Sequence, residues 1–163
     1  MVGLEPVLLL KYVSDEATSP IAHERSLLCS PGEAFATYTG AIGEWWDPRY
    51  TANAETLQTV TIEPRVGGRV YALHGDVGED EWGEVRVWEP GHRLVHTFTL
   101  AQDPQHPSEV AVEFEPLESD PGSGCRVRFA HGGWTEANVE ARKKFGDWRV
   151  MLDRFAALAD SEG

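Results

Sequence analysis

The residues between Phe145 and Leu158 place the tightest limit on what this chain can fold into. Phe145, Trp148, Met151, Leu152, Phe155 and Leu158 recur at spacings of three and four, the period that brings side chains to one side of an α-helix. Such a face cannot stay in water, because burying each large apolar side chain contributes about 1.5–3 kcal/mol. A long amphipathic helix is therefore expected over residues 134–158, opening after His131-Gly132-Gly133-Trp134. It needs a partner surface, and a sheet built from residues 21–131 is the simplest one.

The segments upstream have the right patterns for that sheet. Residues 21–29 read as a first strand. Ser30-Pro31-Gly32-Glu33 then carries the signature of a helix start, in which Ser30 caps an amide, Glu33 reaches back and Pro31 sits where its missing N–H is harmless. The helix uses Ala34, Phe35 and Tyr38 and ends near Gly40; a second short helix around Ile42, Trp45 and Trp46 stops before Pro48. From Leu57 the period changes to that of strands, with segments expected at 57–62, 69–74, 81–88 and 92–100. Val110, Val112 and Phe114 share one parity and Cys125, Val127 and Phe129 another, with a break over residues 120–124. Links this short cannot carry crossover helices, so the strands form an antiparallel meander. The expected class is α+β: a curved antiparallel sheet wrapped around a long C-terminal helix, with two short helices after the first strand.

Length and composition bound the rest. A chain of 163 residues that is 41% hydrophobic has enough apolar surface for one core without metal or disulfide support. The expected organisation is an extension over residues 1–20 that adds a strand or rests against a partner, a domain over 21–158 and a tail over 159–163. A formal charge of −13 disfavours nucleic acid and anionic membranes as partners. Val7-Leu8-Leu9-Leu10 is too short to span a membrane and lacks the flanks of a secretory leader. With Cys29 and Cys125 outside any CxxC pair, a cytoplasmic setting with reduced thiols is the expectation.

No residue pattern assigns catalysis. His23, His74, His92, His96, His106 and His131 form no HExxH motif and combine with no ligand spacing, so no metal site is expected. Glu79, Asp80, Glu81 and Glu84 read as a solvated turn. There is no GxSxG, P-loop or dinucleotide fingerprint, and hence no implied cofactor. The aromatics carry the stronger signal. Trp45, Trp46, Tyr50, Trp82, Phe98, Trp134, Trp148 and Met151 lie on segments this architecture brings together, and an incomplete contact between sheet and helix leaves an apolar cavity. Tyr71, His96 and Arg128 are the candidates for polar orientation of a ligand inside it.

Over residues 21–158 the chain resembles the START-like (SRPBCC) superfamily, in the branch of the C-terminal domain of the activator of Hsp90 ATPase. The resemblance rests on Ser30-Pro31-Gly32-Glu33-Ala34-Phe35, Gly43-Glu44-Trp45-Trp46, Ile62-Glu63-Pro64-Arg65-Val66-Gly67-Gly68-Arg69, Trp82-Gly83-Glu84-Val85 with Trp88-Glu89-Pro90, and His131-Gly132-Gly133-Trp134. It implies a helix-grip fold enclosing a deep cavity, and no universal catalytic set. The first expectation for function is therefore binding or sequestration of a small hydrophobic or aromatic molecule. The alternatives are a cyclase, dehydratase or hydrolase acting on an aromatic or polyketide-like substrate, with His96 or a nearby carboxylate moving a proton, and a protein-interaction module or chaperone cofactor. The pattern is compatible with a monomer and with a homodimer formed through the extension or an exposed sheet surface.

Overall fold

The computed structural model describes residues 18–117 and 124–162. The expected extension therefore lies outside the described residues up to position 17, as does most of the break at 120–124. Seven antiparallel strands form one curled sheet in the order β1-β7-β6-β5-β4-β3-β2. In chain order these are β1 (Ile21–Leu27), β2 (Leu57–Ile62), β3 (Arg69–His74), β4 (Gly78–Glu89), β5 (Arg93–Phe98), β6 (Ser108–Pro116) and β7 (Cys125–Gly132). Helices α1 (Pro31–Gly40) and α2 (Ile42–Trp45) follow β1, and α3 (Trp148–Glu162) ends the chain. Among the described residues no helix is long and apolar enough to cross a membrane.

The expected local signals act as read. Ser30 Oγ accepts the Glu33 amide at 3.1 Å and Glu33 Oε1 accepts the Ser30 amide at 3.2 Å, closing the capping box that starts α1. The meander arises because consecutive strands alternate buried and exposed residues. Their inner rows line up across the register, with Leu94 opposite Val112 and Val112 opposite Phe129. One row further along, His96, Val110 and His131 sit side by side.

Curling the sheet needs irregular pairing, and β4 supplies it. Its register shifts between Val85 and Val87 against β5, and between Val70 and Tyr71 on the β3 side. At Gly83 the backbone of β4 lies so close to the Thr97 carbonyl that a Cβ there would overlap it. Glycine is required for this approach, which falls where the pairing of β4 is irregular.

The concave face grips α3. Tyr38 of α1 packs against Phe155 with ring centroids 5.3 Å apart and against Trp45 at 5.0 Å. Arg154 Nε donates to the Trp45 carbonyl at 2.7 Å, and Arg25 of β1 forms an ion pair with Asp153 at 3.0 Å. These contacts hold the helix to α2 on one side and to the edge strand on the other.

The helix begins later than its sequence pattern suggests, at Trp148 instead of residue 134. Asn138 explains the delay. Its Nδ2 donates to the carbonyls of His106, Pro107 and Gly133 at 3.1–3.2 Å, while its Oδ1 accepts the Thr135 amide at 2.7 Å. The segment is thus pinned to the loop between β5 and β6, and a 3-10 turn over Val139–Lys144 is all the helical structure it forms before Gly146. The other end runs longer than expected. Residues 159–162 continue α3 rather than forming a tail, and Asp160 Oδ1 accepts the Leu28 amide at 3.0 Å.

Two substitutions test this architecture. Phe155 is fully buried, so Phe155→Ala is expected to lower the unfolding free energy by about 3–5 kcal/mol in urea titrations. Gly83→Ala, although it adds only a methyl group, is expected to cost more than about 2 kcal/mol in the same measurement, because backbone must move to admit it.

Candidate functional site

The delayed start of α3 leaves a space above its first turn. Short-range chemistry builds one wall of that space. Asp47 is buried, and its carboxylate accepts the Arg49 amide at 3.0 Å and the Arg49 guanidinium at 2.7–3.2 Å. The guanidinium hydrogen bonds hold the Asp47 carboxyl below its ordinary value in spite of burial. This lock sets the 3-10 turn Pro48–Tyr50, and Trp46 Nε1 donates to the Tyr50 carbonyl at 3.2 Å. Tyr50 then reaches across to donate its hydroxyl to Asp147 at 2.9 Å, a bond that raises the phenol above its usual value. The Asp47 amide points at the Met151 sulfur, 3.4 Å away.

The opposite wall comes from the end of β5 and the segment before α3. Lys144 Nζ donates to the Ala101 carbonyl at 2.7 Å. Ala101 has φ +59°, the left-handed region that a residue with a Cβ seldom adopts. Phe98 forms the floor, with its ring 5.8 Å from Phe145, 5.9 Å from Trp148 and 6.3 Å from Trp46. The result is a cavity of about 380 Å³ lined mostly by apolar atoms, with Arg49, Ala52, Lys144 and Asp147 exposed at its rim.

Beneath the floor lies a buried polar chain. Trp148 Nε1 donates to His131 Nδ1 at 3.0 Å, and His131 Nε2 meets Ser108 Oγ at 2.7 Å. An indole N–H can only donate, so Nδ1 is the acceptor and the proton of the neutral ring sits on Nε2, facing Ser108. Ser108 Oγ lies 3.1 Å from both the Phe98 carbonyl and Gln102 Oε1, either of which can accept its hydroxyl proton. Burial, with His96 and Arg142 adding to it, pushes His131 down to about 3. His96, whose Nδ1 lies 2.7 Å from the Thr97 carbonyl, is held at about 4 by burial despite that bond.

Of the residues singled out from sequence, Trp46, Tyr50, Phe98, Trp148 and Met151 line the cavity. Trp45, Trp82, His96 and Trp134 are buried in the packing around it and do not line it. Trp82 backs Trp46 at 4.9 Å, and Trp134 donates to the His131 carbonyl at 2.9 Å. Two placements differ from expectation outright. Tyr71 alternates with the buried Val70, Ala72 and His74, so it faces away from the core, 4.5 Å beneath the Arg69 guanidinium. Arg128 alternates with Val127 and Phe129 and pairs outside with Glu115 at 3.3 Å and Glu24 at 3.7 Å. Asp80, Ala101, Lys144 and Asp147 were not anticipated as wall residues. Ala101 and Asp147 sit in turns and Lys144 ends the 3-10 turn, where no strand or helix period marks a facing direction, whereas Asp80, expected in a solvated turn, lies on β4 opposite the buried Ala72.

Known proteins with this architecture define its class. A family model described as activator of Hsp90 ATPase homolog 1-like protein matches residues 29–160, and the chain belongs to that family, within the START-like helix-grip superfamily. No curated protein sequence matches it significantly. Among solved structures, a Mesorhizobium loti protein is 23% identical with a TM-score of 0.61, covering 88% of this chain and 98% of its own. CalC, a self-sacrificing resistance protein from Micromonospora echinospora, is 22% identical with a TM-score of 0.63, covering 90% and 97%. An anthrahydroquino-gamma-pyrone synthase is 26% identical with a TM-score of 0.57, covering 85% and 95%.

Two of the buried histidines, His96 and His131, make stability depend on pH in a defined direction. Both are depressed in the folded state, so below pH 6.5 the unfolded chain takes up protons that the folded chain refuses. Stability is therefore complete above that value and falls as the pH drops towards 4 and 3. Each is expected to remove about 2 kcal/mol between pH 7.5 and 5. His96→Gln should flatten that slope in a series of denaturation curves, whatever its effect at neutral pH; an unchanged slope would contradict the assignment.

Proposed function

We propose that this protein binds and sequesters a small apolar or aromatic molecule in the cavity between Trp46, Phe98 and Trp148, without transforming it. The observation that carries this reading is an apolar, aromatic-walled space that stays open although the packing below it is tight. Its volume, about 380 Å³, is within the range that small-molecule sites occupy. Trp46, Phe98 and Trp148 are each held by packing or hydrogen bonds from behind, so the walls are set before a ligand arrives and little ordering accompanies binding.

A second reading, catalysis on such a molecule, is favoured by the synthase relative and by the Tyr50–Asp147 hydrogen bond at the wall. It does not draw on His96, which is enclosed away from the cavity. A docking surface for another protein draws less support, because the large exposed apolar side chains Leu28, Val66, Val77 and Val150 stand on separate segments.

Calorimetric titration against a panel of lipids and polycyclic aromatics should give saturable one-to-one binding for at least one class. Ala52 is exposed at the rim, and Ala52→Trp should block the opening, weakening that binding at least tenfold with the unfolding free energy changed by less than about 0.5 kcal/mol. Absence of saturable binding across the panel would remove the reading. Turnover of a bound compound that is lost in Tyr50→Phe and Asp147→Asn would replace it with the catalytic one.

A further inference from the structure

The cavity does not end at its apolar walls. At Asp80, Leu100, Ala101 and Lys144 it runs into a polar groove whose other residues include Glu81, Gln102 and Asp103. Charge in this groove is unbalanced. Among the described residues, Asp80, Glu81 and Asp103 have no Lys or Arg within ion-pair distance. Asp80 accepts only the Trp82 indole N–H, at 3.2 Å, and Asp103 only backbone amides. Asp147, at the cavity rim, accepts only the Tyr50 hydroxyl and, through its backbone carbonyl, the first amides of α3.

The cations nearby do not offset this. Arg49 is already neutralised by Asp47 at 2.7 Å, and Lys144 spends a donor on the Ala101 carbonyl. Among the described residues Lys144 is the one cation lining the groove, and its single positive charge stands against the three carboxylates of Asp80, Glu81 and Asp103. A neutral apolar ligand filling the cavity would leave these carboxylates as they are. A ligand with an anionic group would meet repulsion at the exit.

Resting on the binding reading above, we propose that the occupant is an amphiphile: an apolar ring system seated between Trp46, Phe98 and Trp148, with a hydrophilic arm bearing a protonated amine laid in the groove against Asp80 and Asp103. The carboxylates accept the ammonium N–H groups, and the aromatic walls beside the exit add a favourable cation–ring attraction. The groove is open to water, so the electrostatic part is modest and screened by salt.

Three probes with one ring body separate the possibilities: aminomethylanthracene, hydroxymethylanthracene and anthracene carboxylate, titrated calorimetrically at low and high salt. The amine is expected to bind about tenfold more tightly than the alcohol, and the carboxylate more weakly than both. Asp103→Asn should reduce the amine's advantage about threefold and leave the alcohol's affinity unchanged, and Asp80→Asn, at a wall residue, should lower the ratio of amine to alcohol affinity by a similar factor. Glu113→Gln, on the outer face of β6, should leave all three affinities unchanged. Equal binding of the three probes, or a preference for the carboxylate, overturns the amphiphile while the cavity keeps its role. An amine preference that falls equally in Glu113→Gln reports only the overall charge of −13 and also overturns it. If no probe binds while another compound of the wider panel does, this inference fails and the binding reading stands; if nothing in that panel binds, both fail.

Discussion

The indole N–H of Trp148 is the group on which the upper half of the molecule depends. A buried indole needs an acceptor, and an acceptor deep in a sheet is scarce because strand carbonyls are committed to their neighbours. His131 Nδ1 meets the need at 3.0 Å. Three things follow from that one bond. The imidazole must be neutral, its remaining proton must face Ser108, and α3 must start where Trp148 can reach β7. The ring orientation of a cavity wall is thereby fixed from the side away from the ligand.

The cavity is a consequence of where helical structure stops. Ahead of Trp148 the chain forms only the 3-10 turn Val139–Lys144, and Tyr50, Ala101 and Lys144 border the space there. Asn138 holds this segment by committing its side chain to three carbonyls and an amide. Below that level the helix packs against Tyr38 and Trp45 and shares one buried core with the inner rows of β6 and β7. One element therefore does two jobs, as core along most of its length and as cavity wall at its first turn.

Much of the fold was legible because it depends on local or periodic signals. The capping box at Ser30 and Glu33, the stop at Pro48 and the parity of Val110, Val112 and Phe114 each state a conformation within a few residues. The start of α3 was not legible, since the spacing of Phe145 fits a helix and the hydrogen bonds that oppose it come from His106 and Pro107, far away in sequence. The same limit applies to the site. Trp46, Phe98 and Trp148 could be picked out as large rings on the right segments, whereas Ala101 comes from a turn and Lys144 from the end of a short 3-10 turn. Tyr71 and Arg128 show a different error: residue type suggested a ligand contact, while alternation with buried neighbours on their own strands assigned them to the outer face.

The rings around the cavity also form an optical unit. Trp45 lies 5.8 Å from Trp46, which in turn lies 4.9 Å from Trp82 and 5.6 Å from Trp148. At such separations excitation absorbed by any one indole passes readily to the others, so the four emit as a coupled antenna. Two of its members, Trp46 and Trp148, face the cavity. A single occupant that accepts their excitation would drain the whole cluster, including indoles it never touches.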